Sequence, residues 1–481
     1  MMHQDSDIPL CVDLDGTLVR TDLLWESFLI LLKSKPWTMI ILPFLLIRGK
    51  AALKNWIALQ VEVDVSVLPY HRSFLSYLKQ QKRPLILATA THEKFAKQIA
   101  NHLGIFHDTI ASTKHLNLSG RKKLTVILEK YGHRFGYAGN ALVDCKIWDK
   151  ADEVIMVNAP AGLQKRYQDP VIFNDRTSPL TAIFKEMRVH QWAKNLLIFL
   201  PLLMSHNFLN SIYLLKSTLA FFAFSFCASS VYLLNDLLDL ESDRHHSRKK
   251  RRPFASGDLS IPKGLFIIPI LILISGWLAW QLPVSFQIIL LIYLVLTTTY
   301  SFMLKSIALI DVIILGLLYT IRIIAGGNAT GILNTNWLLA FSFFLFVSLA
   351  FVKRFSELKS MGLQENSQVK GRGYFIDDLE QIGLFGTASG YLSIMVLALY
   401  LNSDHAHDLY PNSQILWLLC PIFLYWISRV WLLVRRGHLI EDPVRFTISD
   451  LPTYIIFVVI IIILIFAKIP LGSMVLTSFF S

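Results

Sequence analysis

Three aspartates near the middle of the chain, Asp236, Asp239 and Asp243, have the spacing of groups that act together. Residues three and four positions apart share one face of a helix. Carboxylates held this close repel each other unless a cation lies between them, and Mg²⁺ favours oxygen ligands and often shares its coordination with a substrate phosphate. The pattern therefore predicts a magnesium-diphosphate site at a helix end, with Asn235 as a further oxygen ligand.

A basic run, residues 244–252, follows these aspartates directly. Arginine binds phosphate through several N–H donors, so Arg251 and Arg252 are candidate ligands for a second phosphate. A simpler interpretation is a solvated acidic helix end followed by a basic loop that orients the chain in a membrane. Both interpretations assign this segment to a membrane surface.

The composition places most of the chain in a membrane. Of 481 residues, 54% are hydrophobic, the mean hydropathy is +0.49, and the apolar residues concentrate after about residue 195. The net charge of +12 is carried largely by loops between apolar runs, so membrane topology explains it better than nucleic-acid binding, which we do not expect. The apolar runs predict nine spans, at about 191–208, 212–235, 263–281, 285–304, 307–326, 336–353, 382–402, 413–434 and 450–468.

The charge of the loops alternates along these spans, which predicts a multi-pass cell-membrane protein with its N-terminal part and basic loops in the cytoplasm. The groups that could do chemistry fall on that same side, as expected of an enzyme that joins a soluble substrate to a lipid. Arg322 is the exception because it lies deep in a span, where it would bind phosphate or pair with an acid. The basic or acidic residues of these loops include Lys194, Lys305, Asp311, Lys353, Arg354, Lys370, Arg372, Glu441, Asp442 and Arg445.

The first 165 residues contain a different chemical pattern. Asp13-x-Asp15-Gly16-Thr17 follows an apolar run that predicts a buried strand. In such a turn, one carboxylate could attack phosphorus and the other could protonate the leaving oxygen, while Gly16 lets the backbone approach the phosphate. The pattern resembles the first motif of the haloacid dehalogenase (HAD) superfamily, which implies an α/β Rossmann-like fold with Asp13 as nucleophile and Asp15 as acid and base.

The later motifs of that superfamily have counterparts in the same order. Thr89 ends a second apolar strand and would bind a phosphate oxygen, and Lys123 resembles the family's cation. Asp144 resembles the acidic motif whose first position here is Asn140, and the resemblance implies Mg²⁺ bound by Asp13, Asp15, Asn140 and Asp144. The family usually has an aspartate in place of Asn140. The domain is therefore either an active phosphatase or a docking domain without activity.

Residues 20–80 form an insert that we expect to be a helical cap, and residues 166–185 read as a linker. The insert contains an apolar run, residues 37–47, that is too short to cross a bilayer. It is either the buried face of the cap or a surface that enters the membrane interface.

The membrane part, residues 186–481, resembles the UbiA superfamily of membrane prenyltransferases. Asn235-Asp236-x-x-Asp239-x-x-x-Asp243 looks like its first aspartate-rich motif, and the resemblance implies an all-α bundle of nine transmembrane helices. Arg188-x-x-Gln-Trp-x-Lys194-Asn195, Tyr300-Ser-x-x-Leu-Lys305 and Lys353-Arg354-x-x-Glu357 resemble the decaprenyl-phosphate phosphoribosyltransferase branch. A second Asp-x-x-x-Asp motif is incomplete, because Asp311 is followed by Leu315 at the second acidic position.

This resemblance implies transfer of 5-phosphoribosyl from phosphoribosyl diphosphate to a polyprenyl phosphate, with Mg²⁺ on Asp236, Asp239 and Asp243. The fused phosphatase-like domain would then remove the 5-phosphate. The alternatives are prenyl transfer from a prenyl diphosphate to a small acceptor, and a scaffold without catalysis; the oligomeric state stays open. The residues implied in substrate binding are Thr89, Lys123, Lys194, Arg251, Arg252, Tyr300, Lys305, Asp311, Arg322, Lys353 and Arg354.

Overall fold

The computed structural model describes residues 8–175, 177–360, 373–438, 446 and 450–469. Within them the chain forms two compact units, Met1–Val189 with Tyr232–Ile270, and His190–Val231 with Leu271–Ser481. The first unit therefore joins the N-terminal domain to the segment that carries the three aspartates. Five residues of the predicted cytoplasmic loops, Lys370, Arg372, Glu441, Asp442 and Arg445, lie outside the described residues.

A six-stranded parallel sheet forms the centre of the first unit, in the order β3-β2-β1-β4-β5-β6. Apolar side chains on both faces of β1 are buried, as in a parallel sheet covered by helices on both sides. The order reverses beside β1, and such a switch point opens a crevice at the carboxyl ends of the strands. The strands are β1 Leu10–Val12, β2 Leu85–His92, β3 Asp108–Ser112, β4 Gly136–Gly139, β5 Glu153–Val157 and β6 Val171–Phe173.

Helices of the first unit connect these strands and fill the predicted insert. Asp22 caps the first of them by accepting a hydrogen bond from the backbone N–H of Leu24, and Gly104 ends another with φ of 63°. The helices are Leu23–Ser34, Leu42–Ile47, Lys50–Gln60, Arg72–Gln80, Glu93–Leu103, Arg121–Tyr131, Cys145–Trp148, Ala161–Gln164, Pro179–Glu186, Leu240–His245 and Pro253–Ser256.

Residues 166–185, expected to be a linker, contain regular structure. Strand β6 pairs with β5 in parallel, with Val171 opposite Ile155. Helix Pro179–Glu186 follows, with Pro179 at its first position, where the missing N–H has no effect. This strand was not predicted because it has only three residues, Val171–Phe173, and turn-forming residues lie on both sides of it. The domain therefore extends beyond the expected boundary at residue 165.

The apolar run of the insert is largely exposed. Pro36–Ile41 is a 3₁₀ helix that continues into the short helix Leu42–Ile47, and Trp37 and Ile47 are 71% and 84% exposed while Leu42 is buried. A wholly buried face is therefore not what the structure shows. An exposed apolar surface of this kind suits a membrane interface, which stays a proposal.

Eight helices in the described residues are long and apolar enough to cross a membrane, so the prediction of nine was wrong. The predicted first span, residues 191–208, instead forms a 3₁₀ helix, Val189–Phe199, and a short helix, Leu200–Met204. Pro201, which lacks a backbone N–H, is the second residue of the short helix, and hydropathy does not detect the break at this point. The eight are Ser211–Leu238, Ile261–Trp280, Val284–Phe302, Ile310–Thr330, Asn336–Ser360, Ile376–Leu401, Ser413–Arg435 and Leu451–Lys468.

Small residues let the helices of the second unit pack closely. A Cβ atom on Gly386 would lie 2.1 Å from the Trp431 ring, and one on Gly390 would lie 2.6 Å from Ile427. Ser348 donates a hydrogen bond to the Gly386 carbonyl at 2.7 Å. Close packing through glycine and serine is typical of helices in membranes, where the hydrophobic effect does not drive helix association.

Candidate active sites

The carboxyl end of β1 places Asp13 beside a buried lysine. Lys123 donates to Asp13 Oδ1 at 2.7 Å and to the Tyr137 hydroxyl at 3.0 Å, and that hydroxyl donates to Asp144 Oδ1 at 2.9 Å. Lys123 is 3% exposed, which requires close anionic partners. Three residues predicted from separate sequence motifs, Asp13, Lys123 and Asp144, therefore meet through Tyr137.

Asp15 lies two residues after Asp13, in the turn that follows β1. It accepts hydrogen bonds from the Thr91 hydroxyl at 2.5 Å and from the backbone N–H of Leu23 at 3.0 Å. Gly16 has φ of 75°, and a Cβ atom there would lie 2.1 Å from the Asn140 side-chain nitrogen. Glycine is thus required at this turn, and the Asn140 amide lies directly against it.

Thr91 and Lys54 are polar residues near Asp15 that the sequence motifs did not indicate. Thr89 is buried and accepts from the Thr91 backbone at 3.0 Å, while Thr91 itself contacts Asp15. Alternation along a strand puts residues 89 and 91 on one face, which is the signal that could have found Thr91. Lys54 of the insert lines a cavity of about 60 Å³ together with Asp15.

Burial raises the pKa of both catalytic candidates. It raises the pKa of Asp13 to about 6, with Lys123 opposing the shift, and that of Asp15 to about 7, with Asp22 adding to it. Ionised carboxylates in this position need a cation, and their hard oxygen atoms suit Mg²⁺. The arrangement of Asp13 and Asp144 therefore fits a magnesium ion.

The aspartate-rich segment bends at its centre. The long helix ends at Leu238, and Asp239 begins the next helix, Leu240–His245. Asp236 and Asp243 converge on Arg252, whose Nη1 lies 2.9 and 2.5 Å from their carboxylates, whereas Asp239 faces Lys33 at 3.6 Å. The shared face expected of three aspartates is thus formed by two of them.

Arg188 joins this group from the preceding segment. Its Nη2 donates to both oxygens of Asp236, at 2.5 and 2.7 Å, and its guanidinium lies 5.2 Å from the Tyr232 ring centroid. The backbone of Arg188 has φ of 52°, an uncommon conformation for a residue with a side chain. Arg188 stands in the Arg188-x-x-Gln-Trp-x-Lys194-Asn195 motif, and no role was predicted for it.

Glu186 is the third acid of this group and was not predicted. It is 1% exposed, and neither of its carboxyl oxygens has a hydrogen-bond donor among the described residues. Its carboxyl neighbours that of Asp236, and burial together with that neighbour raises the pKa of Glu186 to about 9. Two adjacent buried carboxyls require a shared proton or a bound cation, so this donor set also fits Mg²⁺.

A separate polar cluster lies in the second unit. Arg354 donates to Asp311 at 2.5 Å, to Glu357 at 2.5 Å and to the Tyr300 hydroxyl at 3.2 Å. Tyr374 donates to the other Asp311 oxygen at 2.5 Å. Asp311 is therefore neutralised by an arginine, an arrangement that differs from a pair of acids open to a metal ion.

Arg322 and Lys194, two of the remaining predicted residues, each lie near a tyrosine ring of the second unit. Arg322 bonds to Asn195 at 2.8 Å and to the Tyr293 hydroxyl at 3.1 Å, and Lys194 lies 5.9 Å from the Tyr319 ring centroid. Arg251 is exposed, and its carbonyl accepts from Lys185 at 3.1 Å. Asn235 lies in the last turns of Ser211–Leu238, Lys305 in the 3₁₀ helix Leu304–Ser306, and Lys353 beside Arg354 in Asn336–Ser360.

The second unit also contains an apolar cavity of about 450 Å³. Its lining has no charged residue and includes Leu200, Met204, Phe341 and Tyr410. A cavity of this size and polarity could hold a hydrocarbon chain.

Comparison with known proteins identifies the family. The sequence profile described as the UbiA prenyltransferase family matches residues 196–365. A protein of Sinorhizobium fredii described as uncharacterized protein y4nM is 33% identical over 465 residues, which cover 94% of this chain and 89% of that protein. The chain belongs to the UbiA prenyltransferase family.

Two further relatives differ in coverage. Nodulation protein NoeC of Azorhizobium caulinodans is 32% identical over 272 residues, covering 56% of this chain and 88% of NoeC. A decaprenyl-phosphate phosphoribosyltransferase of Mycobacterium tuberculosis is 33% identical over 198 residues, covering 40% of this chain and 64% of that enzyme. The protein is thus a transferase that resembles phosphoribosyltransferases over part of its length.

Proposed function

We propose that the protein transfers 5-phosphoribosyl from phosphoribosyl diphosphate to a polyprenyl phosphate, and that its N-terminal domain removes the 5-phosphate from the product. The observation that carries the transferase step is the group of Asp236, Asp243, Arg188 and Arg252, which combines metal ligands with phosphate-binding guanidiniums. Partial similarity to decaprenyl-phosphate phosphoribosyltransferases supports the choice of donor.

The state of Asp311 favours this donor over a prenyl diphosphate. A second metal-binding motif would need a second acid, but position 315 is leucine and Asp311 is bound by Arg354 and Tyr374. Of the two motifs, only the aspartate-rich segment then provides carboxylates for a metal ion in the proposed transferase site, which agrees with a donor that has one magnesium-diphosphate group. We assign Tyr300, Lys305, Lys353 and Arg354 to substrate binding, along with Lys194 and Arg322.

The transfer needs charge stabilisation more than acid–base chemistry. As the bond between ribose C1 and the diphosphate oxygen breaks, Arg188 and Arg252 stabilise the negative charge on the leaving diphosphate. Bound Mg²⁺ would supply further stabilisation of that charge. The acceptor phosphate is already anionic, so its oxygen forms the new bond to C1 without a general base.

The proposed phosphatase step uses the group around Asp13. Its carboxylate attacks the 5-phosphate, while Asp15 gives its proton to the departing ribose oxygen and then takes one from the hydrolytic water. Lys123 holds the carboxylate of Asp13 in place and stabilises phosphate charge. The sheet order and the positions of Thr89, Lys123 and Asp144 support assignment to the HAD superfamily.

We place both reactions on the cytoplasmic side of the membrane. The basic loops between the apolar helices support this orientation, and phosphoribosyl diphosphate is a soluble substrate. The lipid acceptor would enter from the bilayer.

Labelling tests the transferase step. Full-length protein in lipid nanodiscs is supplied with polyprenyl phosphate, Mg²⁺ and phosphoribosyl diphosphate labelled in the ribose. We expect label in the organic phase for the wild type and for the exposed control Glu129→Gln, and none for Asp236→Asn. Absence of lipid label at every Mg²⁺ concentration would exclude this donor.

Prenyl transfer to a small acceptor is the second candidate. The apolar cavity of about 450 Å³ favours it because the hydrocarbon of a prenyl diphosphate could bind there. Under this hypothesis, labelled prenyl diphosphate is consumed in the presence of an aromatic or polar acceptor, and ribose label stays in water.

A further inference from the structure

We propose that Glu186 and Asp236 together bind the divalent cation of the proposed diphosphate site. This inference rests on the proposed function, since it adds a residue to the same diphosphate site. Glu186 belongs to helix Pro179–Glu186, which precedes the membrane helices and lies outside the matched family segment, residues 196–365.

The Glu186 side chain is buried among groups that do not neutralise its charge. It is 1% exposed, and neither oxygen accepts a hydrogen bond from an N–H or hydroxyl group in the part of the chain that the structure describes; its carboxyl instead faces that of Asp236, and a hydrogen bond between the two requires a shared proton. A buried carboxyl without a donor is costly, by about 1–3 kcal/mol or more for a charged group. Such a group is retained where a ligand provides the missing partner.

The neighbours of Glu186 leave its carboxyl available to a cation. The carboxyl of Glu186 lies beside that of Asp236, and both Arg188 and Arg252 direct their N–H groups to Asp236 instead of Glu186. The arginines therefore neutralise Asp236 and do not donate to Glu186. A cation between Glu186 and Asp236 would satisfy both carboxylates and free the guanidiniums to bind diphosphate.

The backbone holds Glu186 in this place. Lys185 donates to the Arg251 carbonyl at 3.1 Å, which ties the end of the helix to the loop that carries Arg252. Two residues later, the positive φ of Arg188 turns the chain so that residues 186 and 188 both reach Asp236. The helix end, the positive φ of Arg188 and the loop thus bring the acidic Glu186 and the basic Arg188 and Arg252 together beside Asp236.

Manganese binding measures this role without relying on catalysis. Full-length protein carrying Asp13→Asn, which removes a ligand from the N-terminal metal site, is titrated with Mn²⁺ and the free ion is followed by electron paramagnetic resonance. In this background Glu186→Gln is compared with Glu129→Gln, the same substitution at an exposed position, and with Asp236→Asn.

We expect Glu186→Gln to weaken Mn²⁺ binding by about tenfold or more, as loss of a metal-supporting group does, and Asp236→Asn to weaken it at least as much. Glutamine preserves shape and can donate to Asp236, so a merely protonated Glu186 predicts unchanged affinity. Unchanged affinity in Glu186→Gln with loss in Asp236→Asn would overturn this inference alone. Unchanged affinity in both would overturn the magnesium site of the proposed function as well.

Glu186→Asp provides a second variant in case the glutamine protein does not fold. It keeps the charge on a shorter side chain, so we expect Mn²⁺ binding that is weaker than in the parent. An affinity equal to the parent's would contradict direct ligation by Glu186. Transfer activity adds a further readout: Glu186→Gln should need more Mg²⁺ for half-maximal activity and recover at high Mg²⁺.

Discussion

At the scale of single residues, the contacts of Asp236 explain how the proposed diphosphate site holds two kinds of charge. Arg188 and Arg252 approach this carboxylate from two different segments. They neutralise it without substrate and would turn to the phosphates when a cation binds. The guanidinium group suits this exchange because it presents several donors in a fixed plane.

Arg188→Lys tests this role. Lysine keeps the charge but loses the planar donor set, so we expect the KM for phosphoribosyl diphosphate to rise about 10- to 100-fold, equivalent to about 1.5–3 kcal/mol for a hydrogen bond to a charged group. Arg166→Lys is the control, because Arg166 is an exposed partner of Asp149 at 3.5 Å. Steady-state kinetics measures both, and an unchanged KM in Arg188→Lys would refute the role.

The buried acids of the N-terminal domain predict a pH dependence. Raised pKa values of about 6 for Asp13 and about 7 for Asp15 mean that the folded domain retains protons there that the unfolded chain releases near 3.8. Stability from the neutral acids is complete below that pH and is lost as the pH rises through 6 and 7. Metal binding competes with the same protons and recovers part of this loss.

We therefore expect Mg²⁺ affinity at this site to rise between pH 5.5 and pH 8. Hydrolysis of p-nitrophenyl phosphate at several Mg²⁺ concentrations measures it, with Asp13→Asn as the inactive control. A half-saturating Mg²⁺ concentration that is constant over this range would show that neither carboxyl is protonated in the free site.

Motif residues of the N-terminal site could be predicted from sequence, but their partners could not. Asp13, Lys123 and Asp144 meet as expected, because their spacing on strand ends fixes where parallel strands bring them. Tyr137 is buried between them, although its sequence context reads as an ordinary core strand. Glu186 was missed because it directly follows residues 166–185, whose turn residues indicated a linker, and no motif includes it.

At the scale of elements, a buried ion pair ties the aspartate-rich segment to the first helix of the N-terminal domain. Arg244 donates to both Glu26 oxygens, at 3.1 and 2.6 Å, and Glu26 also accepts from Thr21 at 2.5 Å. Both side chains of the pair are 5% exposed. Thr21 and Glu26 directly follow the turn that carries Asp15, so one element supports both proposed sites.

Glu26→Gln should destabilise this connection strongly. Removing one partner of a buried pair leaves the other charge unpaired, at a cost of about 3–5 kcal/mol. Hydrogen exchange of residues 240–256 in the full-length protein should accelerate, while Glu93→Gln, in an exposed pair with Lys97 at 2.8 Å, should change little. Equal exchange in the two variants would show that the pair does not hold the segment.

The positions of the long helices could be predicted from hydropathy where an apolar run is uninterrupted. The prediction failed where a local break divides the run. The eight predicted spans after the first lie near observed helices, because a membrane helix needs about 20 apolar residues and such runs are conspicuous. Residues 191–208 are apolar as well, but Pro201 interrupts them. The bend at Asp239 has no comparable signal, since aspartate occurs both inside helices and at their starts.

At the scale of the whole molecule, the chain has two proposed reactions in series. The first unit contains both the group around Asp13 and the group around Asp236, and the hydrogen bonds of these two aspartates involve different residues, so one substitution can alter either centre by itself. We expect Asp13→Asn to accumulate a lipid that still carries the 5-phosphate, since transfer proceeds without hydrolysis. Asp236→Asn should give no ribosylated lipid at all.

Lipid extraction and chromatography of reactions with the purified variants measure this separation. Added wild-type protein should convert the lipid that accumulates with Asp13→Asn, which shows that the lipid is an intermediate. Equal products from Asp13→Asn and the wild type would assign the N-terminal domain a role without catalysis.

The proposed pair of reactions is decided by mass spectrometry of the lipid that the full-length protein makes from phosphoribosyl diphosphate and polyprenyl phosphate. It identifies the transferred group and counts the phosphates that remain. We expect the wild type to yield a ribosylated polyprenyl phosphate without the 5-phosphate, and Asp13→Asn to yield one that retains it. A lipid fraction without pentose, in the presence of Mg²⁺ and both substrates, would contradict this expectation.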